Sequence, residues 1–294
     1  MLELRDLRRF LVLAEERHFG RAAARLGMGQ PQLSRALQKL ERLVGTRLLD
    51  RTSRDASLTE AGTALLRQAR DILDRAAEAP ALARRAAVGE VGSLALGFSG
   101  SCAYAFLSVA VEGYRRTHPD VELTLREMAA ERQVEQLREG RLDLCLMRGT
   151  GVPPGLSGAL VFEEALVVAL PRANPLSART QVAPADLAPH PFVTFPRDAG
   201  NGYHRLVTEI CAAAGFTPKL AQEVSPMHAL IGLVAAGVGV AIVPASVRKL
   251  HFSGVVYRKL AAVETRSQVW AVWRQDRLPA PARAFATGIG AIAA

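Results

Sequence analysis

The spacing of apolar side chains changes character once along the chain. Over residues 4–17, Leu7, Phe10, Leu11 and Ala14 recur at i, i+3, i+4 and i+7 with charges between them, which predicts an amphipathic helix. Residues 20–26 predict a short second helix whose alanines admit a close neighbour, and Gly27-Met28-Gly29 breaks it. A third helix opens at Gln30-Pro31, where proline in the first turn removes no useful donor. Its apolar stripe is Leu33, Ala36, Leu37, Leu40, Leu43 and Val44, and Gly45 ends it. Residues 46–58 read as a small β-hairpin with arms at 47–49 and 56–58 and a polar tip at 52–55. Thr59 then caps a helix running to about residue 88, long enough for a spacer or a dimer seam. Pro80 is expected to kink that helix or end its first part.

Gly89 and Gly92 close this region, and beyond Ser93 short apolar runs alternate with helical stretches. Strands at 94–98, 121–127 and 142–147 enclose helices at 104–117 and 130–139, the order of a mostly parallel sheet covered by helices. Further strands are predicted at 166–170, 192–195, 240–243, 255–259 and 269–273, with helices at 203–214, 227–236 and 281–292. So many strands in about 200 residues suggest two α/β lobes.

Charge adds a partner to this picture. The chain of 294 residues carries a formal charge of +9. Residues 17–54 hold nine basic side chains against two acids, so most of the excess sits in one short segment, as nucleic-acid binding requires. Half the residues are hydrophobic, which excludes a disordered chain. Cys102, Cys145 and Cys211 are odd in number and far apart, giving neither a disulfide framework nor metal spacing, and they read as small buried hydrophobes. The N-terminus does not read as a signal peptide and no run of 18 apolar residues exists, so a cytoplasmic protein without a membrane partner is expected.

The order Phe19-Gly-Arg-Ala-Ala-Ala-Arg-Leu26, Gln30-Pro-Gln-Leu-Ser-Arg-Ala-Leu-Gln-Lys-Leu-Glu41, Gly45-Thr-Arg-Leu-Leu-Asp-Arg51 and Leu58-Thr-Glu-Ala-Gly62 closely resembles the helix-turn-helix of LysR-type transcriptional regulators. The resemblance implies a winged helix-turn-helix at 1–58 (helix-turn-helix about 18–37), a dimerising linker helix at 59–88 and an effector-binding domain at 89–294. It further implies interrupted inverted repeats of double-stranded promoter DNA, a homodimer that commonly becomes a homotetramer, contact with RNA polymerase, and no cofactor or metal. A recognition helix presents an outer polar face, on which Gln reads adenine and Arg reads guanine. Gln30, Pro31, Ser34 and Arg35 are the leading candidates near base edges, with Gln32, Gln38 and Lys39 behind them. Arg51 and Arg54 stand where the wing would meet phosphate. Gly29 stands where the family usually has a capping serine, a loss of a few tenths of a kcal/mol.

The resemblance continues through His118-Pro-Asp-Val121, Leu137-Arg-Glu-Gly-Arg-Leu-Asp143 and Leu233-Val-Ala-Ala-Gly-Val-Gly-Val240, and implies a fold similar to periplasmic binding proteins. Lobe one is expected at 92–162 and 266–294, and lobe two at 163–265. Ligands of such sheets bind beyond the carboxyl ends of strands, beside helix N-termini. Ser99, Ser101 and Cys102 follow the first strand, so an anion such as a carboxylate is expected there. Arg148 follows the third strand, with the alternative that it pairs with a carboxylate of the protein. Phe195, Pro196, Arg197 and Tyr203 follow a lobe-two strand, and Met227 and His228 open a helix. These stretches are most similar to the branch governing aromatic-compound degradation, in which Ser101 matches a ligand-binding serine and Tyr203 a ligand-contacting aromatic. Ala130 stands in place of that branch's threonine hydroxyl, which opens the way to a different effector.

Other functions fare worse. Ala236-Gly-Val-Gly239 follows a helix, whereas a dinucleotide fingerprint must follow a strand. The chain lacks the hydrolase and P-loop motifs GxSxG, HExxH and GxxxxGK[ST]. The remaining alternative is a cytosolic receptor or enzyme without DNA targeting.

Overall fold

The computed structural model describes residues 1–51, 56–197 and 202–292. It divides into two units, Met1–Arg84 and Arg85–Ala294. The change falls inside the long helix, a few residues before the expected boundary at 89.

In the first unit, α1 (Leu4–Glu16), α2 (Phe19–Arg25) and α3 (Gln30–Val44) enclose a core of Leu7, Phe10, Leu13, Leu33, Leu37 and Leu40. Ala22 and Ala23 are buried at the centre, where only a methyl group lets α2 sit between its neighbours. Leu13, rather than Leu11, completes the α1 stripe, and Leu43 and Val44 at the end of α3 are exposed. The imidazole of His18 caps α2, its Nδ1 accepting from the amides of Gly20 (3.1 Å) and Arg21 (3.3 Å), a cap the sequence reading missed. Gly29 caps α3 through its carbonyl alone.

Strands β1 (Leu49–Arg51) and β2 (Ala56–Leu58) form the hairpin, and its expected tip at 52–55 lies outside the described residues. The carboxylate of Glu41 accepts from the amide of Leu48 (2.9 Å), tying the end of α3 to the hairpin. Thr59 caps α4 (Glu60–Ala87) as expected, its Oγ1 accepting from Gly62 and donating to the Arg47 carbonyl, both at 2.9 Å. A Cβ on Gly62 would run into that loop at the Leu48 carbonyl. α4 passes through Pro80 as one assigned helix. The helix does not end at Pro80, which is itself exposed.

In the second unit, β3 (Val91–Phe98), β4 (Asp120–Glu127) and β5 (Leu144–Arg148) are parallel and connected by helices, α5 (Ser108–Thr117) and α6 (Ala130–Arg138). The turn before α5 is a π-helix over Ala103–Leu107. The strand β6 (Leu156–Pro171) is sixteen residues long, of which only 166–170 were predicted. Its first part has a short apolar run at 159–162, bounded by Ser157-Gly158 and Glu163-Glu164, and most of its positions are exposed or half-buried. β7 (Gln181–Val182), β8 (Pro191–Thr194), α7 (Tyr203–Ala213), β9 (Lys219–Glu223), α8 (Met227–Ala235), β10 (Ala241–Pro244), β11 (Val255–Leu260), β12 (Arg266–Arg274) and α9 (Ala280–Gly288) complete the chain. β9 is exposed at all five positions, so no apolar pattern marked it.

The parallel order holds for β4-β3-β5, while β12 runs antiparallel to both β5 and β6. β6 pairs with β12 up to Ala165 and with β10 from Leu166 onward, so one strand belongs to both lobes. Each lobe has its own core. Leu94, Leu96, Leu144, Leu146, Val269 and Phe285 fill one, and Val168, Phe192, Ile210, Ile231 and Ile242 fill the other. Among the described residues no helix is long and apolar enough to cross a membrane.

Two substitutions test the first unit. Gly29→Ser restores a side-chain cap in open space and should raise stability by a few tenths of a kcal/mol, about 1–3 °C in the melting of residues 1–84. Gly62→Ala should cost about 1–3 kcal/mol through overpacking, read by denaturant unfolding of the same unit; an unchanged midpoint would show that the Leu48 carbonyl yields freely.

Candidate DNA-binding face and effector cleft

The period of 3.6 residues puts Leu33, Leu37 and Leu40 of α3 inward and leaves Gln30, Pro31, Gln32, Arg35, Gln38 and Lys39 exposed, with Ser34 half-buried. Arg21 and Arg25 are tied to Glu15 and Glu16 of α1. Lys39 stands 3.8 Å from the buried carboxylate of Asp6. Arg35, Arg42 and Arg47 form no ion pair among the described residues, so their charge is offered to an external anion. Arg51 is the last residue of β1, and Arg54 lies outside the described residues.

A cleft of about 340 Å³ opens in the second unit. One wall is Ser99-Gly100-Ser101 at the end of β3 with Glu127 to Ala130 at the end of β4, and Arg148 at the end of β5. Phe195, Ser225, Pro226 and Met227 come from the other lobe. These positions follow strand ends, where a sheet stops pairing and leaves side chains free to converge.

Arg148 is the most constrained of them. It is buried, and each guanidinium nitrogen already holds an acceptor. Nε donates to Ser101 Oγ (3.0 Å), Nη1 to Ser267 Oγ (2.5 Å) and Nη2 to Glu164 Oε1 (3.0 Å). The Glu164 carboxylate also accepts from the Ser246 amide (2.5 Å) and hydroxyl (2.9 Å). The network therefore joins β5, the two crossing strands β6 and β12, and the turn after β10, with Ser101 as its member on the cleft wall. Ser99 Oγ accepts from Gln133 Nε2 (3.2 Å).

The structure brings Ser99, Ser101, Ala130, Arg148, Phe195 and Met227 together, as expected. Five expected residues do not line the cleft. Cys102 is fully buried beneath it, its Sγ donating to the Leu146 carbonyl (3.6 Å), and burial pushes its thiol up to about 11. Tyr203 is buried behind Phe195, edge to face at 5.5 Å, and its hydroxyl donates to the Ile242 carbonyl (3.0 Å). Burial also raises its phenol. Pro196 is half-buried, and Arg197 and His228 are exposed, all outside the lining. The sequence reading missed Gly100, Glu127, Met128, Ala129, Ser225 and Pro226. Glu127 to Ala129 follow a predicted strand, so the strand-end rule applied to them. Ser225 and Pro226 follow β9, which carries no sequence signal.

Removing one partner of the buried pair leaves a charge stranded. Glu164→Leu should cost about 3–5 kcal/mol, while Arg148→Met with Glu164→Leu should recover much of that loss; calorimetry of the two variants checks the order. The three thiols, all buried, should react with a disulfide reagent at pH 8 only after unfolding, since burial raises each of them.

Comparison with known proteins agrees with this geometry. Residues 4–63 match the family "Bacterial regulatory helix-turn-helix protein, lysR family", and residues 87–291 match "LysR substrate binding domain". The chain is 40% identical over 282 residues to the uncharacterized HTH-type transcriptional regulator YnfL of Escherichia coli (strain K12), covering 96% of this chain and 95% of that protein. It is similar to the crystal structure of full-length CbnR complexed with its target DNA, with a TM-score of 0.88 and 28% identity over 98% of this chain and 99% of that one. It is also similar to the BenM effector-binding domain with its effector benzoate, with a TM-score of 0.60 and 25% identity over 68% of this chain and 90% of that one. The chain belongs to the LysR family of transcriptional regulators, DNA-binding proteins with an effector-binding domain rather than enzymes.

Proposed function

We propose that α3 reads the base edges of a promoter half-site and that a small effector in the cleft controls the outcome. The observation that carries this reading is the division of α3, whose Leu33, Leu37 and Leu40 are consumed by the core while Gln30, Gln32, Arg35, Gln38 and Lys39 stay in water. Gln bonds adenine and Arg bonds guanine in the major groove, and Arg51 and Arg54 meet phosphate. α4 supports a homodimer, because Ile72 and Leu82 are exposed on a helix otherwise rich in charge. Two dimers form a homotetramer over an interrupted inverted repeat, in the cytoplasm and within reach of RNA polymerase.

The effector acts by its different affinity for two arrangements of the lobes, a coupling of about 1–3 kcal/mol in typical cases. Ser101 supports this role, since one hydroxyl both faces the cleft and receives Arg148. A finer reading places the chain in the branch controlling aromatic-compound degradation. The likeness to CbnR and BenM favours it, as do the apolar side chains of Phe195, Met128 and Met227 in the cleft.

Arg35→Ala should weaken operator binding by about 1–3 kcal/mol, roughly ten- to hundredfold, measured by fluorescence anisotropy at fixed salt. The loss should be smaller on unrelated DNA. Equal loss on both would assign Arg35 to phosphate, and unchanged operator affinity would remove it from the interface.

A further inference from the structure

The charge balance of the cleft does not suit a plain carboxylate. Arg148 supplies the positive charge of the lining, and that charge is met at 3.0 Å by Glu164. Three of its five N–H donors are bonded within the protein and the guanidinium is buried, so most of its charge is already met before a ligand arrives. Ala130 contributes a methyl where a hydroxyl would donate. Glu127, by contrast, lines the cleft, is exposed, and forms no hydrogen bond or ion pair among the described residues. Its carboxylate lies over Gly100, where an added Cβ would collide with it. The protein's own anion thus occupies the corner where the helix N-terminus favours negative charge. Tyr104 borders the same corner, and its phenol is raised first by burial and then by the charge of Glu127. The remaining lining residues, Ser99, Ser101, Ser225, Met128, Phe195 and Met227 among them, are neutral.

We propose that the effector carries a cationic nitrogen, as an amine or an amino acid does, and that Glu127 holds it while Ser101 meets a polar group beside it. This rests on the reading of the cleft as the effector site. An ammonium donates three hydrogen bonds to acceptors, and Glu127 offers the unengaged carboxylate. The volume of about 340 Å³ is at the small end of ligand pockets, which fits one ring or a short side chain.

Four probes that share a phenyl ring separate the charge classes: benzylamine, phenylalanine, benzoate and benzyl alcohol. Their dissociation constants are measured by calorimetric titration on the full chain and on Glu127→Gln, with circular dichroism confirming that both are folded. At least one ammonium probe should bind about tenfold or more tighter than benzoate. Glu127→Gln should weaken that probe by about 10- to 100-fold and leave benzoate unweakened. Binding of both ammonium probes assigns recognition to the ammonium alone, and binding of phenylalanine alone assigns it to the zwitterion; either supports the proposal. Benzoate as the tightest probe, or an ammonium probe indifferent to Glu127→Gln, overturns it while the effector cleft stands. Silence from both ammonium probes overturns it as well, and benzoate and benzyl alcohol then report whether the cleft binds small molecules at all.

Discussion

A guanidinium removed from water is tolerable only where its charge is met, and Arg148 is met by groups from across the effector-binding domain. Glu164 and Ser267 face each other on the crossing strands, Ser246 follows a strand of the second lobe, and Ser101 stands on the cleft wall. No one of these elements satisfies the buried charges alone. The pair is therefore expensive to break from one side and holds the strand ends where the cleft requires them. Because β6 belongs to both sheets, the same network that supports the cleft wall also sits where the lobes meet.

The first unit uses its charges the opposite way. Its core consists of leucines and Phe10, with Ala22 and Ala23 setting the distance between helices. Arginines near α1 are neutralised by Glu15 and Glu16, whereas Arg35, Arg42 and Arg47 are exposed and form no ion pair among the described residues. A face that keeps its cations hydrated and unpaired gives them up readily to phosphate, the sequence-independent part of DNA affinity. In the proposed reading, the polar side chains beside them supply the part that depends on sequence.

Legibility followed the size of the apolar signal. Helices α1 and α3 and strands β3 and β5 were readable because each buries a periodic face or a continuous run, and α4 because Thr59 marks its start. The first half of β6 and all of β9 were not, since β9 is exposed throughout, the apolar run of β6 at 159–162 is short and bounded by glycine and glutamates, and both are placed by pairing with neighbouring strands. The cleft was half readable. Ser99, Ser101 and Arg148 follow from the rule that ligands sit at strand ends and Ala130 from the family resemblance, whereas Cys102, Tyr203 and His228 are near in sequence but turned into the core or toward solvent.

By itself the sequence determined the helix-turn-helix, the exposed polar face of its third helix and the two-lobed α/β plan, because periodicity and turn residues are local properties that one element carries alone. Tertiary structure decided the pairing of Arg148 with Glu164, the open carboxylate of Glu127 and the placing of Tyr203 behind Phe195. Those facts depend on which distant strand ends converge, and on whether a charge that arrives there finds its partner already in the protein.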